Sequence, residues 1–332
     1  MAKSSGRIAV FSVLLGAVAL VGACGTAAQT GTRSFTFTFP GPFGVGDVTL
    51  LAAIDDLRAQ GYTIETPQVD DPSLIAQGVS QGQFQFTVGD TVAALRTMQA
   101  GGKLKIVGEQ VGDVWQIVTI SEISACADLG GRSVGVFAVG SFNDASVRAY
   151  IFQNCPGTEV EMLVLGDSTA RAAAMLAGSL DASPLEIGDA VPLLLEGGDR
   201  FHVLTDFAET LPGLRPSTIV ANTDFLAAET GTVRALLKAH VLQNRKVADD
   251  PGYLKTLILK YVPAIDQSTL DPVIDAFKAT AVFDVNGGVT DQNVEYTLQF
   301  FVSSQSIQPG LSLANVADLS HLDAVLNEVG RK

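Results

Sequence analysis

The chain has 332 residues, 47% hydrophobic and 17% charged. That composition excludes a disordered polypeptide and suffices for two ordinary domains. Its formal charge of −14 at pH 7 argues against nucleic acid as a partner, because a phosphate backbone is held by basic surface. In chain order, residues 1–23 have the plan of an export signal: Lys3 and Arg7 first, an apolar run over 8–21, then Gly22-Ala23. The run is short for a membrane span. Residues 24–34 read as a tether. From residue 35, strand-like runs alternate with helical ones, the pattern of an α/β protein with mostly parallel sheets. "SFTFTF" alternates polar and apolar, and "VTLLAAIDDLRAQG" reads as a helix ending at Gly61. The strands "QFQFTV" and "LKIVGEQ" flank the helix "TVAALRTMQAGG". After "DVWQIVTI" the same order of elements begins again, and after the run at 200–226 the chain turns mainly helical.

Two segments 99 residues apart share one pattern, "VGDTVAAL" at 88–95 and "IGDAVPLL" at 187–194. Each follows a short strand, so Asp90 and Asp189 fall at strand-to-helix turns. An aspartate that caps a helix needs no other explanation; the shared order of elements around both copies is what points to duplication. "SVGVFAVGSFND" comes near a phosphate-binding loop through Gly135, Gly140 and Ser141 but lacks its lysine. Ser141 with Asp144 also fits a capping box that closes the helix start internally.

The four residues ending at Cys24, "VGAC", resemble the bacterial lipobox. The resemblance implies that Cys24 is lipidated and the protein is anchored to the membrane outside the cytoplasm; an ordinary signal peptide is the alternative. Cys126 and Cys155 remain, either as a disulfide suited to an oxidising compartment or as two free thiols. No metal-ligand spacing is present, and neither a metal nor another cofactor is expected.

The order of elements from 35 to 332 resembles the substrate-binding proteins of ABC importers, in the group that takes nitrate, sulfonates, taurine and thiamine pyrimidines. The residues that carry it are "VGDTVAALRTMQAGGKLKIVGEQ", "ADLGGRSVGVFAVGS", "AAAMLAGSLDASPLEIGDA" and "TDFAETLPGLRPSTIVANTDFLAAE". The resemblance implies an α/β, two-lobed type II periplasmic-binding-protein fold, each lobe a mostly parallel sheet flanked by helices. Lobe 1 would be 35–113 and 207–332, and lobe 2 would be 114–206, with crossings near 110–115 and 206–215. It also implies a monomer that hands a small ligand to a permease and an ATPase.

In such sheets ligands bind beyond the carboxyl ends of the strands, where loops enter helices. That rule selects "PGPFGVGD", "VGDT" at 88–91, "VGSFND" at 139–144 and "LEIGD" at 185–189. The candidate ligand-binding residues are Pro42, Phe43, Gly89, Asp90, Thr91, Trp115, Gly140, Ser141, Phe142, Asn143 and Glu186. Gly140 and Ser141 would offer helix-start N–H groups, and Phe43 and Trp115 an aromatic face. Asp90, Glu186 and Asp206 would accept hydrogen bonds from an amino group. Arg148 and Arg215 are the cations nearby in sequence, too few for a strong oxyanion clamp. The ligand class stays open between a sulfonate or taurine-like zwitterion and an aminopyrimidine. His202, His240 and His321 have no partner spacing, and "LGDSTAR" lacks a nucleophile elbow, so no catalysis is expected. The rivals are a pyrimidine-precursor synthase on the same fold and a ligand sensor for a membrane receptor.

Overall fold

A computed structural model describes Met1 and residues 32–332; the export signal, Cys24 and the tether up to residue 31 lie outside the described residues. The strands are β1 (Ser34–Thr38), β2 (Thr63–Glu65), β3 (Phe86–Thr87), β4 (Leu104–Val111) and β5 (Trp115–Ile120), then β6 (Ser133–Val136), β7 (Glu161–Val164), β8 (Ala182–Glu186), β9 (Phe201–Asp206) and β10 (Ser217–Asn222). They form two five-stranded sheets, ordered β2-β1-β3-β10-β4 and β7-β6-β8-β5-β9. In the first sheet β1 is parallel to β2 and β3, and β10 runs antiparallel to β3 and β4. In the second, β6 is parallel to β7 and β8, and β5 runs antiparallel to β8 and β9.

The two sheets therefore share one topology, each with a single reversed strand. That strand is the first one the chain enters after crossing, β5 through Gly112-Asp113-Val114 and β10 through residues 207–216. A crossing that delivers the chain from the opposite lobe brings it in against the local strand direction. The architecture is the two-lobed type II periplasmic-binding-protein fold.

The helices are α1 (Val48–Ala59), α2 (Pro72–Ser80), α3 (Thr91–Gln99), α4 (Phe142–Asn154), α5 (Ser168–Leu176), α6 (Ile187–Gly197) and α7 (Phe207–Thr210). The C-terminal part adds α8 (Thr223–Ala228), α9 (Thr230–Asp249), α10 (Pro251–Tyr261), α11 (Leu270–Ala279), α12 (Asp291–Ser303), α13 (Leu313–Val316) and α14 (Ser320–Val329). Among the described residues none is long and apolar enough to cross a membrane.

The alternation of "SFTFTF" is realised in packing. Phe35, Phe37 and Phe39 are buried, with Phe86 5.3 Å from Phe35 and 5.8 Å from Phe37 between ring centroids. They share a core with α1, α9 and α14. A second core beneath the other sheet joins Val118, Met175, Leu185 and Leu193. The repeated Gly-Asp segments occupy equivalent turns, β3 to α3 and β8 to α6, although Asp90 caps its helix and Asp189 sits in the first turn of its own behind the cap Glu186.

Cys126 and Cys155 form a disulfide with Cα atoms 5.8 Å apart. It ties the turn before β6 to the C-terminal end of α4. Closing a loop of 29 residues restricts the unfolded chain, a stabilisation of about 3.5 kcal/mol in the chain-entropy model. Replacing both cysteines with serine is expected to lower the urea-unfolding free energy by about that amount; no change would show that the bridge contributes nothing.

Candidate functional site

Between the two sheets lies a cavity of about 750 Å³, within the size range of small-molecule sites. Its walls come from both lobes: the β1–α1 loop, the β3–α3 turn, the crossing into β5, and the starts of α4, α5 and α6. These are the carboxyl ends of strands and the amino ends of helices, where backbone N–H groups lack partners in their own helix.

Strand β1 ends at Thr38, and past Pro40-Gly41 the chain brings Phe43 into the cavity wall, edge-on to Phe39 at 5.1 Å. At the β3–α3 turn Gly89 has φ +99°, and a Cβ there would lie 2.8 Å from the Pro40 ring. Only glycine fits both the conformation and the gap. Asp90 follows. Its Oδ1 accepts from Ala93 N at 2.9 Å, capping α3, and its Oδ2 accepts from Phe142 N at 2.7 Å, at the start of α4. Trp115 donates its N–H to Asp113 Oδ1 at 3.0 Å, and its ring lies 6.0 Å from that of Phe142. The Arg171 guanidinium stands 5.9 Å from the Trp115 ring centroid.

Of the residues selected in the sequence, Pro42, Phe43, Gly89, Asp90, Trp115, Phe142, Asn143 and Glu186 line this cavity together. Thr91, Gly140 and Ser141 do not. The Thr91 hydroxyl donates to Pro216 O at 2.9 Å, securing α3 to the returning crossing. Ser141 caps α4 by accepting from Asp144 N at 3.5 Å, and Gly140 N donates to Asp144 Oδ2 at 2.8 Å. Its N-cap role accounts for Ser141, although the expected capping box is not closed, because Asp144 takes Gly140 N while Ser141 N donates to Ala138 O; the Gly140 carbonyl accepts from the Arg96 guanidinium. Asp206 caps α7 and accepts from Gln116, Arg148 pairs with Asp144, and Arg215 pairs with Glu109. None of these three lines the cavity.

The sequence reading left out Asp47, Asp167, Arg171, Asp189 and Asp266, all in the wall. Asp47 and Asp189 lay within selected loops without being chosen as ligand contacts. Arg171 was detectable only as an arginine one helical turn before Met175, on the buried face of α5. It is fully buried, donating to Ser183 Oγ and Pro184 O, each at 2.9 Å, and to Gly166 O.

The wall thus carries six carboxyl groups, Asp47, Asp90, Asp167, Glu186, Asp189 and Asp266, against one guanidinium, Arg171. Burial pushes four of these carboxyls up, beginning with Asp47 to about 7 against one backbone hydrogen bond from Gly44 and Asp90 to about 6 against those from Phe142 and Ala93. Glu186 is pushed to about 8 by burial, then by Asp189 and Asp47, with Arg171 opposing. Burial also raises Asp189. A carboxyl near its midpoint at neutral pH either donates or accepts, which suits a ligand with amino groups beside ring nitrogens. Asn143 adds a buried Nδ2 that has no acceptor among the described residues. No group of three His, Cys, Asp or Glu among the described residues is placed to hold a metal ion.

Raised carboxyl values mean that the folded protein binds protons more tightly than the unfolded chain, so stability falls as pH rises through them. Asp113, raised to about 8 chiefly by burial, acts in the same direction. His240, lowered by burial to about 4, opposes this only below its ordinary value near 6.5. The melting temperature is therefore expected to fall from pH 6.5 to 8.5, and Glu186→Gln to flatten the fall. A flat or rising wild-type profile would contradict this electrostatic picture.

The family model described as NMT1/THI5 like matches residues 58–248, more than half of the chain. The chain belongs to this family. No curated protein sequence matches it. Among solved structures, the alkanesulfonate-binding protein SsuA from Xanthomonas axonopodis pv. citri, bound to MOPS, is similar with a TM-score of 0.66 at 15% identity, covering 86% of this chain and 99% of that one. The periplasmic nitrate-binding protein NrtA from Synechocystis PCC 6803 is similar with a TM-score of 0.67 at 8% identity, covering 90% and 89%. The desulfurization enzyme DSZB is similar with a TM-score of 0.60 at 16% identity, covering 89% and 99%. At these identities what is shared is the fold. This NMT1/THI5-like chain falls in the group whose resemblance its sequence carries.

Proposed function

We propose that this protein is the extracytoplasmic solute-binding component of an ABC importer, anchored through a lipid on Cys24. It captures a small planar amino-heterocycle of the aminopyrimidine class in the cavity between its lobes. The lobes are 35–113 with 207–332, and 114–206. The observation that carries the ligand class is the charge of the wall, six carboxyls against one guanidinium that is already bonded to carbonyls. With Asp47 and Glu186 holding protons part of the time near neutral pH, Asp90 and Asp266 still outnumber Arg171 as charges. A sulfonate or nitrate would therefore enter a field of its own sign, whereas an amino group meets acceptors on both lobes. Phe43, Trp115 and Phe142 supply aromatic surface for a flat ring.

Contacts from both lobes favour the closed state, so ligand binding shifts the population toward closure and presents one shape to the permease and ATPase. The protein acts as a monomer without a cofactor. In this reading it binds and delivers its ligand unchanged.

A thermal-shift panel tests the reading. An aminopyrimidine at about 100 times its Kd adds about 2.7 kcal/mol and raises the melting temperature by several degrees, while methanesulfonate and taurine leave it unchanged. The opposite order would overturn the ligand class, and turnover of the bound compound would overturn the transport role. Blocking lipoprotein processing is expected to leave an unprocessed precursor.

A further inference from the structure

One carboxylate holds the starts of two helices that belong to different lobes. Asp90 Oδ1 takes the N–H of Ala93 in the first turn of α3, and Oδ2 takes the N–H of Phe142 in the first turn of α4. Arg96, one turn further along α3, donates to the Gly140 carbonyl and to Ser306 O at 2.8 Å, which holds the start of α4 against α3. Helix α4 has 13 residues, and the start of such a helix is where an anionic ligand is stabilised by free N–H groups and the helix dipole. Here the place is taken by an anion belonging to the chain itself.

We infer that Asp90 is a specificity-determining residue, a tethered counter-anion that closes the start of α4 to sulfonate-like ligands. The inference rests on the reading of the cavity as the ligand site. A tethered carboxylate competes intramolecularly, at an effective concentration that a free anion must exceed. The neighbouring wall residue points the same way. Asn143, 3% exposed, has an Nδ2 without an acceptor. A buried donor in a cavity wall calls for an acceptor from the ligand, and with Phe142 N already taken, a neutral ring nitrogen or carbonyl suffices. Asp144, held by Gly140 N at 2.8 Å and Arg148 Nε at 2.7 Å, keeps a second carboxylate in the first turn of α4.

The test is calorimetric titration of the full protein with methanesulfonate at pH 8. Asp90→Ser keeps a capping hydroxyl for α3 but is too short to reach Phe142 N. It is expected to bind methanesulfonate at least about tenfold more tightly than wild type. Asp90→Asn, an equally good cap without the charge, gives the same reading if the serine variant does not fold, with a smaller gain. Wild type binding methanesulfonate as tightly as the variants would overturn the inference. Titration of wild type with 4-aminopyrimidine is a separate arm: silence there would count against the ligand class, whereas the gain in the variants would still stand or fall alone.

Discussion

Replacing Gly288 with alanine is expected to cost about 4 kcal/mol or more of folding free energy. The residue has φ +70°, and a Cβ at that position would lie 1.5 Å from Glu109 Oε2. Glu109 is buried on β4, just before the crossing into the second lobe, and pairs with Arg215 of the returning crossing at 2.8 Å. The Gly288 carbonyl accepts from Arg215 Nε at 3.1 Å and from Asn293 Nδ2 at 2.8 Å. The added methyl group must evict the Glu109 carboxylate, and breaking a buried ion pair from one side costs about 3–5 kcal/mol. A non-glycine residue in the left-handed region adds about 1–2 kcal/mol. Urea unfolding of Gly288→Ala measures the sum. A loss under about 1 kcal/mol would show that Glu109 and Arg215 do not fasten the two crossings.

Arg171→Met is expected to cost a similar amount, about 3–5 kcal/mol, by a different route. The side chain is fully buried, and its donors satisfy Gly166 O, Pro184 O and Ser183 Oγ. Methionine fills much of the volume but leaves those acceptors unpaired. It also removes the one cation from a wall that holds six carboxyls. Glu186 and Asp189, which Arg171 now pulls down, would then hold their protons to higher pH. The variant should therefore lose stability more steeply than wild type as pH rises from 6.5 to 8.5. Equal stability of variant and wild type at pH 8 would contradict the placement of Arg171 as the cavity's charge-balancing group.

Two α/β lobes were legible in periodicity, and the type II periplasmic-binding-protein fold followed from the family resemblance. "SFTFTF" buries all three phenylalanines, together with Thr38, and the matched Gly-Asp turns mark equivalent positions in two sheets of one topology. The cavity was legible where it coincides with strand ends, hence Phe43, Asp90, Asn143 and Glu186. It was not legible where a long side chain reaches it from inside a helix. Arg171 looks like an ordinary helix residue until packing shows that it is enclosed against Trp115 and Pro184. Ser141 shows the opposite failure. A serine at a glycine-marked helix start suits ligand binding and self-capping equally, and only the position of Asp144 decides for the cap. That Asp90 would occupy the start of α4 depends on how the lobes meet, which no local pattern encodes.

The central claim is that an acidic interlobe cavity selects an amino-heterocycle over an oxyanion. Isothermal titration of the wild-type protein at pH 7.5 with 4-aminopyrimidine and with methanesulfonate tests it in one buffer. The account predicts saturable binding of the aminopyrimidine and an affinity for methanesulfonate weaker by about a hundredfold or more, on the order of 3 kcal/mol. Tight binding of methanesulfonate with none of the aminopyrimidine would contradict it.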